Sequence, residues 1–494
     1  MRNPILLRVA ITALPLAVSA RKCGLLVKDT ERGNGNGNGN GNGKSRRPVD
    51  LKELPRSCDK SDEIFVTLPN GKQKKFKKNK KLDSAGDFRG EDKRGSSFQY
   101  VRTKDDKIFG SMVDLEEGTV SQFSFDEAGN QVMTITASGD FPPEADPEDD
   151  RRNLGDVSSN FLRGQGQQAI EAIPDEFDHR ELQAIATFDI LVVWTSDAEC
   201  RLATGGRSKS CTRNQQTESG IRALIDLAVA ETNDAYQMSG VFARLRLVHA
   251  QYVDYNEGSM GNSLSQLRTN GDGQLDVVHS LRTLYGADLV AMISGNRQYC
   301  GIGYVGPRYD LMFSVTSYAC ATGYYSFGHE IGHNLGCNHD KGTTDACGSS
   351  SYNYGYRDPQ GSFRTMLAYN CKTGQCDNNG SNSCTRIQRM STTTATYGGK
   401  PLGTQQIDNA RHINDVRATV AGYLTAPAPP QTEAPSVPPT AAPSVPPTTA
   451  PSVPPTAAPV PPPPVNCSSY RRKRFCNRAA GCSWNKRVKQ CVAV

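Results

Sequence analysis

Apolar and polar positions follow two different rhythms along this chain. Between Ile64 and about Thr136 the period is close to two, in Ile64-Phe65-Val66-Thr67-Leu68, Ser97-Phe98-Gln99-Tyr100-Val101, Val120-Ser121-Gln122-Phe123-Ser124-Phe125 and Gln131-Val132-Met133-Thr134-Ile135-Thr136. Asn70-Gly71 and Gly129-Asn130 separate such runs and have the composition of hairpin turns. A small β-rich unit over residues 64–136 is predicted. Beyond it the rhythm changes to strands alternating with helices. The strand Ala186 to Trp194 is followed by a helix with Ile221, Leu224, Ile225, Ala228 and Val229 on one face. Then come a strand from Ala243 to Tyr252, a helix around Val277 to Leu284, a buried-type strand from Ala287 to Ile293, and a strand over Phe313 to Thr316. A last helix, about Gln405 to Leu424, turns Ile407, Ala410, Ile413, Val416 and Val420 inward. Alternation of this kind predicts a mixed α/β layer.

Outside these regions the pattern fails in informative ways. Arg2 and Arg8 precede an apolar stretch from Val9 to Val18 that ends in Val18-Ser19-Ala20, the build of a secretory signal peptide over residues 1–20. No later run of about 18 apolar residues exists, so no membrane span is expected and the product should be exported. Residues 33–43 alternate Gly and Asn and have nothing to bury. The acidic, Pro-containing stretch from Glu144 to Asp150 leads into Arg151-Arg152 and looks exposed enough to be a processing site. Residues 425–465 repeat Ala-Pro-Ser-Val-Pro-Pro-Thr three times and predict a stiff polyproline spacer. The tail, 466–494, spaces Cys467, Cys476, Cys482 and Cys491 as two disulfides would need. It is basic and carries Trp484, which fits binding to an extracellular matrix or wall polymer.

Composition adds bounds. With 36% hydrophobic residues in 494, the chain can fill more than one core. A net charge of +6 is small for this length and gives no reason to expect a nucleic-acid partner. The seven lysines of Lys72 to Lys81 and the basic run Arg471 to Arg474 are read as solvated surface. Fifteen cysteines agree with an oxidising compartment, and the odd total leaves one thiol over. Cys58 has two readings: a disulfide with Cys23, or a thiolate that fills an open metal position and silences a precursor.

The chemistry is concentrated in His329-Glu330-Ile331-Gly332-His333-Asn334-Leu335-Gly336-Cys337-Asn338-His339-Asp340. His329 and His333, four residues apart, project from one face of a helix toward one metal ion. Gly336 lets the chain leave the helix through a left-handed turn that brings His339 back as third ligand. Three neutral nitrogens and one open position describe a catalytic zinc site rather than a structural one. Glu330 lies beside the ion without binding it, where a general base belongs. Only seven histidines occur in the chain, and three fall in these twelve residues at ligand spacing.

The motif resembles that of the metzincins, and Asp340 after the third histidine resembles their reprolysin (adamalysin) branch. Phe363-Arg364-Thr365-Met366-Leu367-Ala368-Tyr369-Asn370-Cys371, 27 residues beyond His339 at Met366, is similar to the family's Met-turn. Gly286-Ala287-Asp288-Leu289-Val290 and Cys300-Gly301-Ile302-Gly303 resemble the segments that lead into the family's active-site edge, and Asn353-Tyr354-Gly355-Tyr356, the Met-turn, Tyr397-Gly398-Gly399 and Asp408-Asn409-Ala410-Arg411 resemble peptidyl-Asp metalloendopeptidases and related reprolysin-like enzymes. Cys337, and Met390-Ser391-Thr392-Thr393, depart from the family pattern. The resemblance implies an α/β (α+β) zincin. Its metzincin catalytic domain, residues 185–424, would hold a mixed twisted sheet over the zinc-binding helix. A β-rich propeptide over 21–184 would precede it, and the Pro-rich linker and small disulfide-rich tail would follow. The activity implied is a secreted endopeptidase, made as a zymogen, that acts on protein or peptide substrates. One catalytic Zn2+ on His329, His333 and His339 is expected, with Glu330 as the base; calcium is compatible but specified by no motif. The edge strand for an extended substrate is expected near Phe313 to Thr316. An inactive zinc-fold binding protein, or a wall structural protein, would account for the repeats and tail but not for an intact ligand set beside an intact base.

Overall fold

The computed structural model describes residues 23–29, 45–145 and 184–424, apart from positions 53, 69, 81, 83–87 and 379, and two strands near the C-terminus. The signal segment, the Gly/Asn tract, Arg151-Arg152 and the Pro-rich spacer lie outside the described residues. The chain divides into two units, residues 1–429 and 430–494. In the second, Cys482–Asn485 pairs antiparallel with Gln490–Ala493. The pairing of its cysteines lies outside the described residues.

The first unit opens with nine strands: β1 (Gly24–Asp29), β2 (Ser45–Lys52), β3 (Glu63–Thr67), β4 (Gln73–Lys78), β5 (Phe88–Glu91), β6 (Ser97–Arg102), β7 (Ile108–Asp114), β8 (Thr119–Phe125) and β9 (Gln131–Ala137). They form a closed barrel, completed by parallel pairing of β1 with β3. Phe76, Phe88, Phe98, Tyr100, Phe123 and Met133 belong to its interior. The barrel is wider than the β-rich unit read from residues 64–136. Its extra strands lack alternation, because GLLVKD places its three apolar residues side by side and SRRPVDLK mixes charge and proline with only two, so their period is hidden. The lysine run is exposed at Lys72, Lys75, Lys77 and Lys80, as read, and departs from that reading at Lys74. Most of the run is β4, where alternate residues turn inward, so Phe76 enters the core and buried Lys74 pairs with Asp114 at 2.6 Å.

Cys23 and Cys58 form a disulfide across this unit. Of the two readings of Cys58 the structural one is correct, and no thiol remains there to reach a metal. The unpaired cysteine among the described residues is Cys337, buried in the α/β layer.

The α/β layer holds a five-stranded sheet of β10 (Ala186–Trp194), β11 (Ala243–Tyr252), β12 (Leu289–Ser294), β13 (Gly301–Gly303) and β14 (Phe313–Ser317), in the order β11-β10-β12-β14-β13. All neighbours are parallel except β13, which runs antiparallel to β14. From Ile190 to Trp194, β10 reads as an unbroken apolar run because both of its faces are covered. Phe188, Ile190, Val192 and Trp194 face one apolar cluster, and Leu191 and Val193 face the other. Six helices cover the sheet: α1 (Ser196–Thr204), α2 (Gln215–Met238), α3 (Met260–Arg268), α4 (Asp276–Tyr285), α5 (Ser326–Asn334) and α6 (Asn409–Val420). α1, α2, α5 and α6 contribute to the first cluster, α3 and α4 to the second. The last helix is shorter than its apolar period suggested, because the Asp408 side chain accepts from Arg411 N and caps it there. The substrate-edge expectation is also corrected. β14 is internal, and the outermost strand next to it is the three-residue β13, whose residues are buried. Among the described residues, no helix is long and apolar enough to cross a membrane.

Barrel and α/β layer pack as one unit. Val101, Phe109, Val113, Val120 and Phe125 of the barrel join the cluster formed by α2. Buried Glu231 of α2 accepts from Ser111 Oγ at 2.7 Å, Gln99 Nε2 at 2.8 Å and Gly323 N at 2.9 Å. Asp234, one turn on, pairs with Arg89 at 2.8 Å. Burial pushes Glu231 up to about 8 and Asp234 up to about 7. Both carboxyls hold protons more tightly when docked than in water. Their contribution is fully present below the ordinary carboxyl range near 4 and is lost as pH rises through about 7 to 8.

The melting temperature of the full chain should fall by at least about 2 °C between about pH 5 and about pH 8.5. Glu231→Gln should flatten that fall; a level profile in the parent would remove Glu231 and Asp234 as its source. Cys58→Ser should lower stability by roughly 2–4 kcal/mol, the range for losing a disulfide. Thermal or denaturant unfolding checks this, and an unchanged midpoint would contradict it.

Candidate active site

α5 carries both histidines of the H-E-x-x-H motif, and its place is set from both ends. At its C-terminal end Asn334 Nδ2 donates to the carbonyls of Tyr304 at 2.9 Å and Phe313 at 2.9 Å, tying the helix to the sheet. Met366 is fully buried, with its sulfur 2.9 Å from where a Cβ on Gly328 of the helix would stand. The chain leaves α5 through Leu335 and turns at Gly336, whose φ is +90°. A side chain there would be strained and would also meet His412 Nε2 at 2.6 Å. The turn returns His339 to the other two rings.

The result is a convergence of three nitrogens. His329 Nε2 lies 3.0 Å from His333 Nε2 and 3.2 Å from His339 Nε2, and His333 and His339 are 2.8 Å apart at the same atoms. All three residues are buried. The protons are assigned by carbonyls behind the rings. His329 Nδ1 is 2.8 Å from Met366 O, and His333 Nδ1 is 2.8 Å from Cys337 O. A carbonyl only accepts, so each Nδ1 carries the hydrogen and each Nε2 presents a lone pair to the centre. Burial, reinforced by neighbouring histidines, holds His329 and His339 well below the usual imidazole range, and burial brings His333 down to about 4. The rings are neutral at pH 7, and lone pairs facing one another call for a cation. His329, His333 and His339 form a candidate metal-binding triad of the kind that suits zinc.

Glu330 is buried next to this centre, and one carboxylate oxygen lies within 4.8 Å of a His329 ring nitrogen. Its carboxylate rests against β13. A Cβ on Gly301 would collide with Glu330 Oε1, and one on Gly303 would come within 3.2 Å of Oε2. The Gly-Ile-Gly of the edge strand is therefore the room that the carboxylate needs. Asp340 is not part of the triad. Buried, it pairs with Arg357 at 2.7 Å and accepts from Tyr369 N at 2.9 Å, joining the end of the motif to the Met366 turn.

Two residues at the site went unread in the sequence. Glu144 belongs to the acidic stretch taken as exposed, yet Phe141, Glu144 and Ala145 are buried. One Glu144 oxygen lies within 4.8 Å of both a His329 nitrogen and a Glu330 oxygen. Buried Arg386 pairs with it at 2.5 Å from 242 residues away. No local pattern connects such a pair.

With the geometry established, likenesses to known proteins are informative. Residues 223–340 match the family described as Metallo-peptidase family M12B Reprolysin-like. A peptidyl-Asp metalloendopeptidase of Stenotrophomonas maltophilia is 34% identical over 244 residues, 48% of this chain and 53% of that protein. One of Xanthomonas campestris pv. campestris is 34% identical over 241 residues, 48% of this chain and 52% of that protein. One of Pseudomonas fragi is 29% identical over 195 residues, 39% of this chain and 99% of that protein. The chain spans about half the length of the first two relatives. These likenesses support a metzincin-like metallopeptidase, and the family implies zinc at the histidine triad.

Zinc titration of the full chain should give one ion per chain. His333→Ala should weaken binding by more than the roughly 10–100-fold that loss of an outer partner costs. Calorimetry checks both, and undiminished binding would remove His333 as a ligand.

Proposed function

We propose that this chain is a secreted, zinc-dependent endopeptidase made as a precursor, with residues before about 185 as its prosegment. The observation that carries the reading is the meeting of three buried imidazole lone pairs beside the Glu330 carboxylate. The metallopeptidase likeness supports the same reading, as does the place of β13 as the last strand of the sheet beside Glu330. An extended substrate would pair with β13 and so bring a peptide carbonyl toward the histidine centre.

Zinc on His329, His333 and His339 supplies Lewis acidity toward a water molecule and a peptide carbonyl. The protein's own part is proton traffic and placement. Glu330 takes the proton of the attacking water at a carboxylate oxygen and returns it to the leaving nitrogen. Gly301 and Gly303 keep that carboxylate beside the strand on which the substrate lies. The carbonyls of Met366 and Cys337 hold the tautomers that keep Nε2 of His329 and His333 available. Cleavage after Arg151-Arg152 would separate the barrel from the α/β layer. The relatives' name makes cleavage beside aspartate the specificity to examine here.

In the protein activated by limited proteolysis, Glu330→Gln should retain zinc and lose peptide hydrolysis by roughly 10²–10⁴-fold. Metal content and initial rates measured on one preparation check this. Undiminished turnover in a zinc-loaded variant would remove Glu330 as the base.

A further inference from the structure

The segment Phe141–Ala145 lies along the strand on which a substrate would lie. Cys300 N donates to Pro143 O at 2.7 Å, and Ala145 N donates to Gly301 O at 3.2 Å. As the segment advances from 143 to 145 its partners advance from 300 to 301, so it runs in the same direction as β13. Either side of this short ladder is anchored. Phe141 stacks on Tyr324 at 4.1 Å with their planes 10° apart, and the Tyr369 hydroxyl donates to Ala145 O. The start of the edge that should admit a substrate is taken up by the chain itself.

Between these anchors Glu144 turns inward. Its Oε1 accepts from Ser326 Oγ at 2.9 Å and from Arg386 Nη1 at 2.5 Å. Arg386 Nη1 also donates to Tyr324 O at 3.0 Å, and the guanidinium lies 4.5 Å over the Tyr324 ring. Both charged residues are more than nine-tenths buried. Arg386 Nε and Nη2 are buried without hydrogen-bond partners, as is Glu144 Oε2. A buried guanidinium with donors to spare is costly unless a carboxylate meets it, and removing one partner strands the other. The Cys371–Cys384 disulfide fixes the segment that carries Arg386. The cation is therefore built into the cleft wall, whereas its anion arrives on a segment that processing would remove.

We propose that Phe141–Ala145 is a built-in occupant of the cleft, in which Glu144 fills a subsite whose floor is Arg386, and that the same arginine receives an acidic side chain of the substrate once the segment leaves. The proposal rests on the peptidase reading for the meaning of the cleft. Arg386 is then the specificity-determining residue beside the scissile bond. Latency depends on Glu144 rather than on a cysteine.

Two measurements on the full zinc-free chain test this apart from catalysis. In hydrogen–deuterium exchange, Glu144→Gln should speed exchange at the Ala145 and Cys300 amides at least about tenfold, while β10 amides stay protected. In fluorescence anisotropy with the Glu144→Gln chain, labelled Phe-Pro-Pro-Glu-Ala should bind at least about tenfold more tightly than its Gln counterpart. Arg386→Gln should abolish that preference. Arg386→Lys, which keeps the charge and protects against a misfolded Gln variant, should retain part of it. Unchanged exchange, equal binding of the two peptides, or a preference that survives both Arg386 changes would overturn the proposal. So would a segment that stays closed on Arg386→Gln when zinc is bound and opens on chelation, which would assign Glu144 to the metal instead. If both measurements succeed and no peptide is ever cleaved, the peptidase reading fails while the subsite stands.

Discussion

Three imidazole nitrogens with their lone pairs aimed at one buried point repel one another unless a cation lies between them, and much of the α/β layer serves to bring them there. α5 supplies two rings one turn apart, and Gly336 supplies the left-handed step that returns the third. The turn at Met366 offers both a side chain that packs against Gly328 and a carbonyl that fixes the His329 tautomer. Asp340 then binds that turn to the end of the motif through Tyr369 N. Sheet and helices hold this arrangement because Asn334 joins α5 to the carbonyls of Tyr304 and Phe313. The metal site and the core are thus one packing problem.

The same centre explains why the cleft needs a cover. A base and a set of open ligands beside a free strand edge would admit any extended chain, including other copies of this protein. The barrel docks on α2 through an apolar patch and through Glu231 and Asp234, and the segment that follows β9 and its short turn bonds to Cys300 and Gly301 at the start of β13. Arg386 gives that cover a specific hold. On the proposed reading, one buried cation would serve both states of the cleft, with Glu144 before processing and an acidic substrate side chain after it.

The parts legible in the sequence were those governed by local rules. β10 and β11 were bounded correctly because β10 carries a long apolar run covered on both faces, and β11, an edge strand, alternates apolar with polar positions in Ala243-Arg244-Leu245-Arg246-Leu247. The histidine motif was legible because helix geometry fixes ligand spacing. Other parts depended on distant partners. β13 is three residues with two glycines, too short and too small to show a period, and its glycines are explained only by the carboxylate of Glu330. Lys74 looked solvated until Asp114 was placed beside it, and Glu144 looked exposed until Arg386 was. Cys58 allowed two chemistries, and only folding brought Cys23 within bonding distance.

The central claim is that the three histidines hold a zinc ion that works with Glu330 on peptide bonds. Digestion of a peptide library by the processed protein, before chelation, after chelation and after return of one equivalent of zinc, tests it most directly. The account predicts cleavage, its loss, and its recovery with the same cut sites. Cleavage that persists in the fully chelated protein, or zinc-loaded processed protein that cuts nothing, would contradict it.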